Sequence, residues 1–437
     1  MTGDIPGTEP IVISTLMQRA NRDSQIARWG RGLSTRFLLD LGIEAYLIDI
    51  VDGQVRAVSA GPFVMPSWDF ALRAPAQEWQ AFWQAKPLPG HHDLFAMIKR
   101  RVLKAEGNLQ PFMAHLIFFK ALLASLRPEG MPAATAATVT TAAVAVSNDG
   151  QKFIGAQNAR FEPVTGRYLN CTLLGQSHRV YIEESGQGIP LLCLHTAGAD
   201  SRQYRAVQND AQILEHFRVI AFDLPWHGKS SPPAGWQLGD YQLSSRNYMD
   251  LVLGLSQALG LDRPVVMGCS IGGRIVLHLA LDHPQHFRAA IGLQAGAHVD
   301  PYYDLAWLHD RNTHGGEVCA GVVSGLIGPD AADEHRWETL WHYMQGGPGV
   351  FKGDLHFYKF DGDIRDRVAA IDTRLCPLYL LSGEYDYSCT PQDTHAVAAS
   401  VAGAKATIMS GLGHFPMSED PQKFLLYLRP VLDEIRA

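Results

Sequence analysis

The sequence predicts an α/β fold in which a mostly parallel sheet is flanked by helices, preceded by a smaller α+β unit. From about residue 161 onwards, short apolar strands alternate with stretches of helical periodicity, a pattern typical of parallel sheets with helical crossovers. The later strands are continuous runs of Val, Ile and Leu, as expected where a strand is buried on both faces. A length of 437 residues also favours two domains.

We therefore expect a first domain over residues 1–127, a linker or strand-forming spacer over 128–160 and a second domain over 161–437. Residues 128–150 are rich in Ala and Thr and carry few charges, which is the composition of a linker.

The first domain is predicted to combine helices with a hairpin. Residues 11–26 are predicted to form one helix, and a second, strongly apolar helix is expected from 111 to 126. Strands over 45–51 and 54–59 flank Asp52-Gly53, a dipeptide that suits a tight two-residue turn.

The second domain is predicted to contain eight strands, the later ones parallel and connected by right-handed crossovers. They are expected at residues 168–174, 179–183, 189–194, 218–222, 264–267, 289–293, 377–381 and 405–409.

One turn of this domain has the pattern of a nucleophile elbow. The strand over 264–267 runs into Gly268-Cys-Ser-Ile-Gly272, and a helical pattern begins at Gly272. A strand that reverses abruptly into a helix needs residues without a Cβ beside the Ser. The turn would expose the Ser270 hydroxyl and place the next backbone N–H at a helix N-terminus. The alternative is a Gly-rich turn around a buried Ser.

A Ser nucleophile needs a base, and that base needs an orienting carboxylate. In parallel sheets such groups lie in loops beyond the carboxyl ends of the strands, where His414 and Asp386 are found. Glu384 and Asp393 are alternatives to Asp386. His195 and His283 are interpreted as structural.

With these motifs, residues 165–435 resemble an α/β-hydrolase domain of the esterase, lactonase and proline-iminopeptidase-like branch. The resemblance implies that Ser270 attacks a carbonyl, His414 shuttles the proton and Asp386 holds the imidazole. It also implies an oxyanion hole formed by the backbone N–H groups of Ala197 and Ile271.

The resemblance further implies that Thr196 stands where the family usually has Gly, so its hydroxyl would narrow the pocket or contact substrate. Residues from about 298 to 371 would form a helical cap over the nucleophile. We expect cap aromatics to bind substrate, with simple packing of the cap onto the sheet as the alternative; the candidates are Tyr302, Trp307, Trp341 and Tyr343.

The first domain is similar to sterol-carrier-protein-2-like domains, on the strength of residues 68–75, 92–98 and 106–113. Asn108 stands where that family often has Asp. The resemblance implies an apolar tunnel for a lipid or similar molecule. The alternative is that the apolar side chains fill a core, namely Phe112, Leu116, Phe119, Leu122 and Leu123.

The remaining expectations concern partners and location. A net charge of −7 without charged blocks argues against nucleic-acid binding, and no apolar run reaches the roughly 20 residues of a membrane span. The six cysteines show no C-x-x-C spacing, so we expect them to be reduced core residues of a soluble, cytoplasmic protein.

We expect no metal or organic cofactor, and either a monomer or a homodimer. The expected substrate is an apolar ester or lactone; C–C, carbamate or amide cleavage and a non-catalytic binding protein are the alternatives.

Overall fold

The computed structural model describes residues 13–128 and 159–437, which contain two β-sheets. Almost all of the predicted linker at 128–160, and the first two residues of the helix predicted at 11–26, lie outside the described residues.

The first sheet has five strands in the order β3-β2-β1-β4-β5. The predicted hairpin is confirmed: β2 and β3 pair antiparallel, and both turn residues have a positive φ, 48° at Asp52 and 72° at Gly53. The strands are Thr35–Asp40 (β1), Ala45–Val51 (β2), Gln54–Ala60 (β3), Phe70–Arg73 (β4) and Lys104–Gly107 (β5).

The helices beside this sheet are shorter than predicted. The helix expected over 11–26 is interrupted at Asp23, whose carboxylate accepts from the amides of Gln25 and Ile26 and so begins a new helix. The helix expected over 111–126 is broken at His115. The helices are Leu16–Arg22 (α1), Ser24–Trp29 (α2), Ala76–Phe82 (α3), Leu94–Lys99 (α4), Gln110–Ala114 (α5) and Leu116–Ala124 (α6).

The second sheet has eight strands in the order β13-β12-β11-β10-β8-β9-β7-β6. The strands from β8 to β13 pair parallel, whereas β7 lies antiparallel to β9 and β6. All eight predicted strands are confirmed, with only their ends displaced. They are Thr165–Leu173 (β6), Gln176–Gly186 (β7), Ile189–Leu194 (β8), Phe217–Phe222 (β9), Val265–Cys269 (β10), Ala289–Leu293 (β11), Leu378–Gly383 (β12) and Lys405–Met409 (β13).

Helices cover both faces of this sheet. Alternate residues of β10 point to opposite faces of the sheet. Val266 packs into the apolar core on one face, and Val265 and Met267 pack into the core on the other. The helices are Arg205–Gln208 (α7), Ala211–Leu214 (α8), Ser245–Ala258 (α9), Ile271–Asp282 (α10), Gly315–Ser324 (α11), Asp333–Met344 (α12), Val350–His356 (α13), Pro391–Ser400 (α14), Pro416–Glu419 (α15) and Pro421–Arg436 (α16).

The expected cap lies between β11 and β12 and contains α11, α12, α13 and a π-helix at Phe357–Asp361. None of the helices in the described parts of the chain is long and apolar enough to cross a membrane.

The N-terminal unit, residues 13–128, packs directly on the cap. Helix α6 lies against α11 so closely that a Cβ on Gly321 would be 2.9 Å from the Leu116 Cβ. The Phe95 ring contacts Tyr302 and Tyr303, with centroids 6.5 and 5.4 Å apart. One apolar core therefore runs from the small sheet through the cap to the large sheet.

Candidate active site

The nucleophile elbow is formed where β10 meets α10. Ser270 has φ 61° and ψ −111°, a strained conformation for a residue with a side chain. A Cβ on Gly268 would collide with the Gly272 carbonyl oxygen, and one on Gly272 would lie 2.6 Å from the Leu194 carbonyl oxygen. Gly268 thus allows β10 and α10 to approach closely enough to make the turn, and Gly272 allows α10 to pack against the end of β8.

Asp386 and His414 meet at the carboxyl ends of β12 and β13. Asp386 Oδ2 lies 2.6 Å from His414 Nδ1, and both side chains are buried. The other carboxylate oxygen accepts from the amides of Ser388 and Cys389 at 2.7 and 3.1 Å. The carboxylate is therefore held by its own loop while one oxygen remains for the imidazole.

The alternative acids have other partners. Glu384 accepts from the Ser410 hydroxyl and the Gly411 amide, and Asp393 forms a capping box with Thr390 at the start of α14. His195 is buried, with Nε2 accepting from the Leu224 amide. Burial lowers the pKa of His195 to about 4, which keeps this ring neutral.

His283 lies at the other end of α10 from Ser270, as the C-terminal cap of that helix. Its ring contacts His286, with centroids 5.8 Å apart.

The backbone amides of Ala197 and Ile271 are the predicted oxyanion hole. Ala197 lines the same cavity as Ser270, and Ile271 is the first residue of α10. Within residues 13–128 and 159–437, neither amide has an acceptor, so both can bind an oxyanion. The Thr196 hydroxyl is already bonded to Gln203 Oε1 and to the Tyr343 hydroxyl.

Asp354 of α13 joins the cap to the loop that follows β8 and contains Thr196, Ala197 and Gly198, here called the oxyanion loop. One of its oxygens accepts from the Gly198 amide at 2.7 Å and lies 2.8 Å from His227 Nε2, and the other accepts from the Tyr241 hydroxyl at 2.9 Å. Burial disfavours the imidazolium, yet Asp354 raises the pKa of His227 above its ordinary value. This carboxylate could not be predicted from the sequence, because it lies in no local motif.

Two further side chains brace the His414 loop. Gln294 donates to the Gly413 carbonyl at 2.8 Å and accepts from the Gly383 amide at 3.0 Å. The Cys269 thiol donates to the His414 carbonyl at 3.1 Å, and burial keeps the thiol protonated by raising its pKa. The ends of β10, β11 and β12 are thereby joined to the histidine.

Ser270 and His414 line one small cavity beneath the cap. Its volume is about 20 Å³, room for about one water molecule. Aliphatic and aromatic side chains of the cap form most of its wall, together with one lysine; they include Tyr302, Tyr303, Val322, Val323, Leu326, Tyr343, Phe351, Leu355, Tyr358 and Lys359.

The comparisons with known proteins agree with this architecture. The family model of the α/β hydrolase fold matches residues 189–318. A pimeloyl-acyl-carrier-protein methyl ester esterase from Nitrosospira multiformis is 30% identical over 264 residues, which are 56% of this chain and 95% of that esterase. The chain belongs to the α/β-hydrolase superfamily.

Two further matches to this α/β-hydrolase have lower sequence identity. An uncharacterized protein of Mycobacterium tuberculosis is 26% identical over 276 residues, 57% of this chain and 76% of that protein. The solved structure of an enol-lactonase from Burkholderia xenovorans matches with a TM-score of 0.53 and 19% identity, covering 61% of this chain and 100% of the enol-lactonase chain. At that identity the likeness supports the fold alone.

The structure brings only two of the four candidate cap aromatics to the cavity of the hydrolase. Tyr302 and Tyr343 line it, whereas Trp307 and Trp341 are not among the residues of its wall. Trp341 lies on the outer face of α12 and is 55% exposed. Leu340 and Tyr343, three residues apart, form the buried face of that helix.

Two surface clefts of the cap share aromatic residues with the wall of this cavity. A cleft of about 750 Å³ shares Tyr343 and Phe351 with the cavity wall. A second cleft, of about 690 Å³, shares Tyr303. Movement of these rings would join the cavity of Ser270 to the clefts.

The N-terminal unit contacts the loop that carries Asp386. Lys99 donates to the Ser388 carbonyl at 2.8 Å, and the Tyr387 hydroxyl donates to Asp93 at 3.2 Å. The His92 ring packs edge-on against Tyr385, with centroids 5.2 Å apart. The small unit therefore supports the position of the carboxylate.

The interior of the small unit is filled by aromatic rings. The Phe37, Phe70 and Phe119 centroids lie 5.2 to 5.5 Å apart, and Phe112 packs 5.5 Å from both Phe70 and Phe119. These contacts favour the interpretation of Phe112 and Phe119 as core residues. A tunnel for a carried molecule stays a prediction.

Proposed function

We propose that this α/β-hydrolase cleaves a carboxylic ester or lactone through an acyl-enzyme on Ser270. The observation that carries the proposal is the 2.6 Å contact between Asp386 Oδ2 and His414 Nδ1 beside a cavity that Ser270 also lines. A carboxylate on Nδ1 fixes the tautomer of the imidazole and leaves Nε2 to accept a proton.

In the first half-reaction, Ser270 Oγ attacks the acyl carbon while His414 accepts the hydroxyl proton. The negative charge that develops on the carbonyl oxygen is stabilised by the amides of Ala197 and Ile271. The imidazolium, stabilised by Asp386, then protonates the leaving alkoxide. In the second half-reaction a water gives its proton to His414 and attacks the acyl-enzyme, which releases the acid and restores Ser270.

The composition of the cavity wall favours binding of a largely apolar acyl group, because most of the side chains in the wall are aliphatic or aromatic. Ester cleavage is also supported by the relative from Nitrosospira multiformis, whose name describes a methyl ester esterase.

A fluorophosphonate probe tests the proposal because it labels only an activated serine. We expect labelling of the wild-type protein and none of Ser270→Ala, together with a loss of several powers of ten in kcat. A panel of acyl esters and lactones then identifies the reaction. An unlabelled protein that hydrolyses neither class contradicts the proposal and favours a binding protein; labelling with turnover only of ketones, carbamates or amides contradicts the ester assignment.

For the N-terminal unit we propose a structural role, in which it covers the apolar face of the cap and supports the Asp386 loop. Its contacts through Phe95 and Leu116 and through Lys99 and Tyr387 support this role. The carrier function and a homodimer are alternatives: binding of a fluorescent fatty acid by the full chain would favour the first, and a doubled mass by light scattering the second.

A further inference from the structure

Lys359 is a buried lysine in the wall of the candidate catalytic cavity. It lies in the π-helix at Phe357–Asp361, where Phe357, Tyr358 and Lys359 are buried in succession while Phe360 is exposed. Such helices occur frequently at functional sites. The side chain of Lys359 is only 3% exposed, and it lines the same cavity as Ser270.

The ammonium group of Lys359 has no hydrogen-bond partner in the described part of the protein. Nζ lies 4.5 Å from the ring centroid of Tyr302 and 5.3 Å from that of Tyr303, contacts that favour a cation. Among the described residues of the cavity wall, Lys359 is the only Lys, Arg, Asp or Glu. Its three N–H donors are thus available to a bound molecule.

The surrounding charges leave this group without a counter-ion. Lys99 also contacts the Tyr302 ring, at 5.8 Å, and is itself bonded to the Ser388 carbonyl. Asp300, a carboxylate whose charge favours the protonated form of Lys359, is an exposed side chain that lies 2.8 Å from His298 Nε2. Burial, with a contribution from Lys99, lowers the pKa of Lys359 to about 7.

A buried donor without a partner costs free energy that a ligand recovers when it supplies the acceptor. A carboxylate is the acceptor that suits an ammonium group best, because the hydrogen bond is then charge-assisted on both sides. Most of the other wall residues are aliphatic or aromatic, which suits contact with the carbon chain between such a carboxylate and the scissile bond once the cavity widens.

We propose that Lys359 binds a carboxylate on the acyl part of the substrate, so that the preferred substrates are esters or lactones of acids with a second carboxylate. The inference rests on the proposed ester cleavage by Ser270 and narrows its substrate class from an apolar acyl group to an apolar chain that ends in an anion.

Two esters with the same number of acyl carbons test the preference: the mono-4-nitrophenyl ester of glutaric acid and 4-nitrophenyl pentanoate. We expect Lys359→Met to lower kcat/KM for the glutarate ester by roughly 10- to 100-fold while the pentanoate value changes little. Lys405→Met is the matched control, because it removes one positive charge at a surface ion pair with Glu434. An equal loss for both esters, or no loss for the glutarate ester, overturns the inference.

A binding measurement separates this inference from the proposed reaction. In the Ser270→Ala background, which cannot form an acyl-enzyme, calorimetry with monomethyl glutarate should give a Kd roughly tenfold or more lower than in Ser270→Ala/Lys359→Met. Methyl pentanoate should show no such difference. Equal affinities for monomethyl glutarate overturn the anion site even when the wild-type protein is an esterase. A difference in affinity supports the site even when the wild-type protein hydrolyses neither ester.

Discussion

Replacing Asp93 by Asn would test how the small unit is joined to the Asp386 loop. The carboxylate lies 3.0 Å from Lys120 Nζ, accepts from the Tyr387 hydroxyl at 3.2 Å and accepts from the Phe95 amide at 2.8 Å. The Asn oxygen can keep the last two hydrogen bonds, but its NH₂ group would face an ammonium. The substitution therefore removes the charge and little else.

The expected cost follows from the burial of the pair. The side chains of Lys120 and Asp93 are 10% and 7% exposed, and removing one partner of a buried ion pair costs about 3–5 kcal/mol. Urea unfolding followed by near-ultraviolet circular dichroism should show this loss at pH 7. The double variant Asp93→Asn/Lys120→Met should recover most of it, because the buried charge of Lys120 is then removed as well.

The pH dependence gives an independent check. Burial lowers the pKa of Lys120 below its ordinary value, and losing Asp93 lowers it further. Between the lowered pKa of the folded state and 10.5, the ordinary pKa of a lysine, the unfolded chain of the single variant holds a proton that the folded chain has lost, so its stability rises with pH in that range. We expect its deficit against the wild type to be smaller at pH 10 than at pH 7. Equal losses in the single and double variants, or a deficit that does not change with pH, would refute the reasoning.

Three further predictions concern the cap. Asp354→Asn should lower kcat by at least tenfold with little change in KM. The substitution should also abolish the stabilisation of the fold by the Asp354–His227 pair. That stabilisation is complete below about pH 6.5 and is lost as the pH rises through the raised pKa of His227. A kcat equal to that of the wild type would contradict a role of Asp354 in holding the oxyanion loop. Phe351→Ala should open the cavity to its neighbouring cleft and raise kcat/KM for long-chain esters relative to acetate esters, at a cost of about 3 kcal/mol in the free energy of unfolding; an unchanged ratio would show that Phe351 and Tyr343 do not control access. A chain limited to residues 159–437 should aggregate in size-exclusion chromatography because the apolar face of the cap would be exposed, and a monodisperse, active product would contradict that.

The strands and the candidate triad could be predicted because their signals are local. Continuous apolar runs identify buried parallel strands, and the loops that follow them contain Asp386 and His414. The elbow was recognisable because a strand, a glycine-flanked Ser and a helix succeed one another within a few residues. Helix ends were harder, since Asp23 and His115 interrupt helices whose apolar periodicity continues past both.

The polar residues that support the site could not be predicted because their partners are distant in sequence. Asp354 and the Gly198 amide are 156 residues apart, and Gln294 reaches a carbonyl 119 residues away. In the sequence, Lys359 is an ordinary polar residue within an aromatic stretch. Its burial depends on the π-helix in which it lies, which has no recognisable sequence pattern. Trp341, in contrast, could have been placed outside the cavity from its helical position relative to Leu340 and Tyr343.

The hydrogen bonds of Asp354 restrict how the small cavity at Ser270 can widen. If α13 moved away as a whole, Asp354 would leave the Gly198 amide and Lys359 would be displaced with the adjoining π-helix, so that the oxyanion loop and the anion site would be lost together. Rotation of Phe351, which lines both the cavity and the larger cleft, breaks none of the three hydrogen bonds of Asp354. Rotation of Tyr343 would break its hydrogen bond to the Thr196 hydroxyl. Admission of substrate by ring rotation, with the helix held in place, is therefore the route that keeps the candidate catalytic groups assembled.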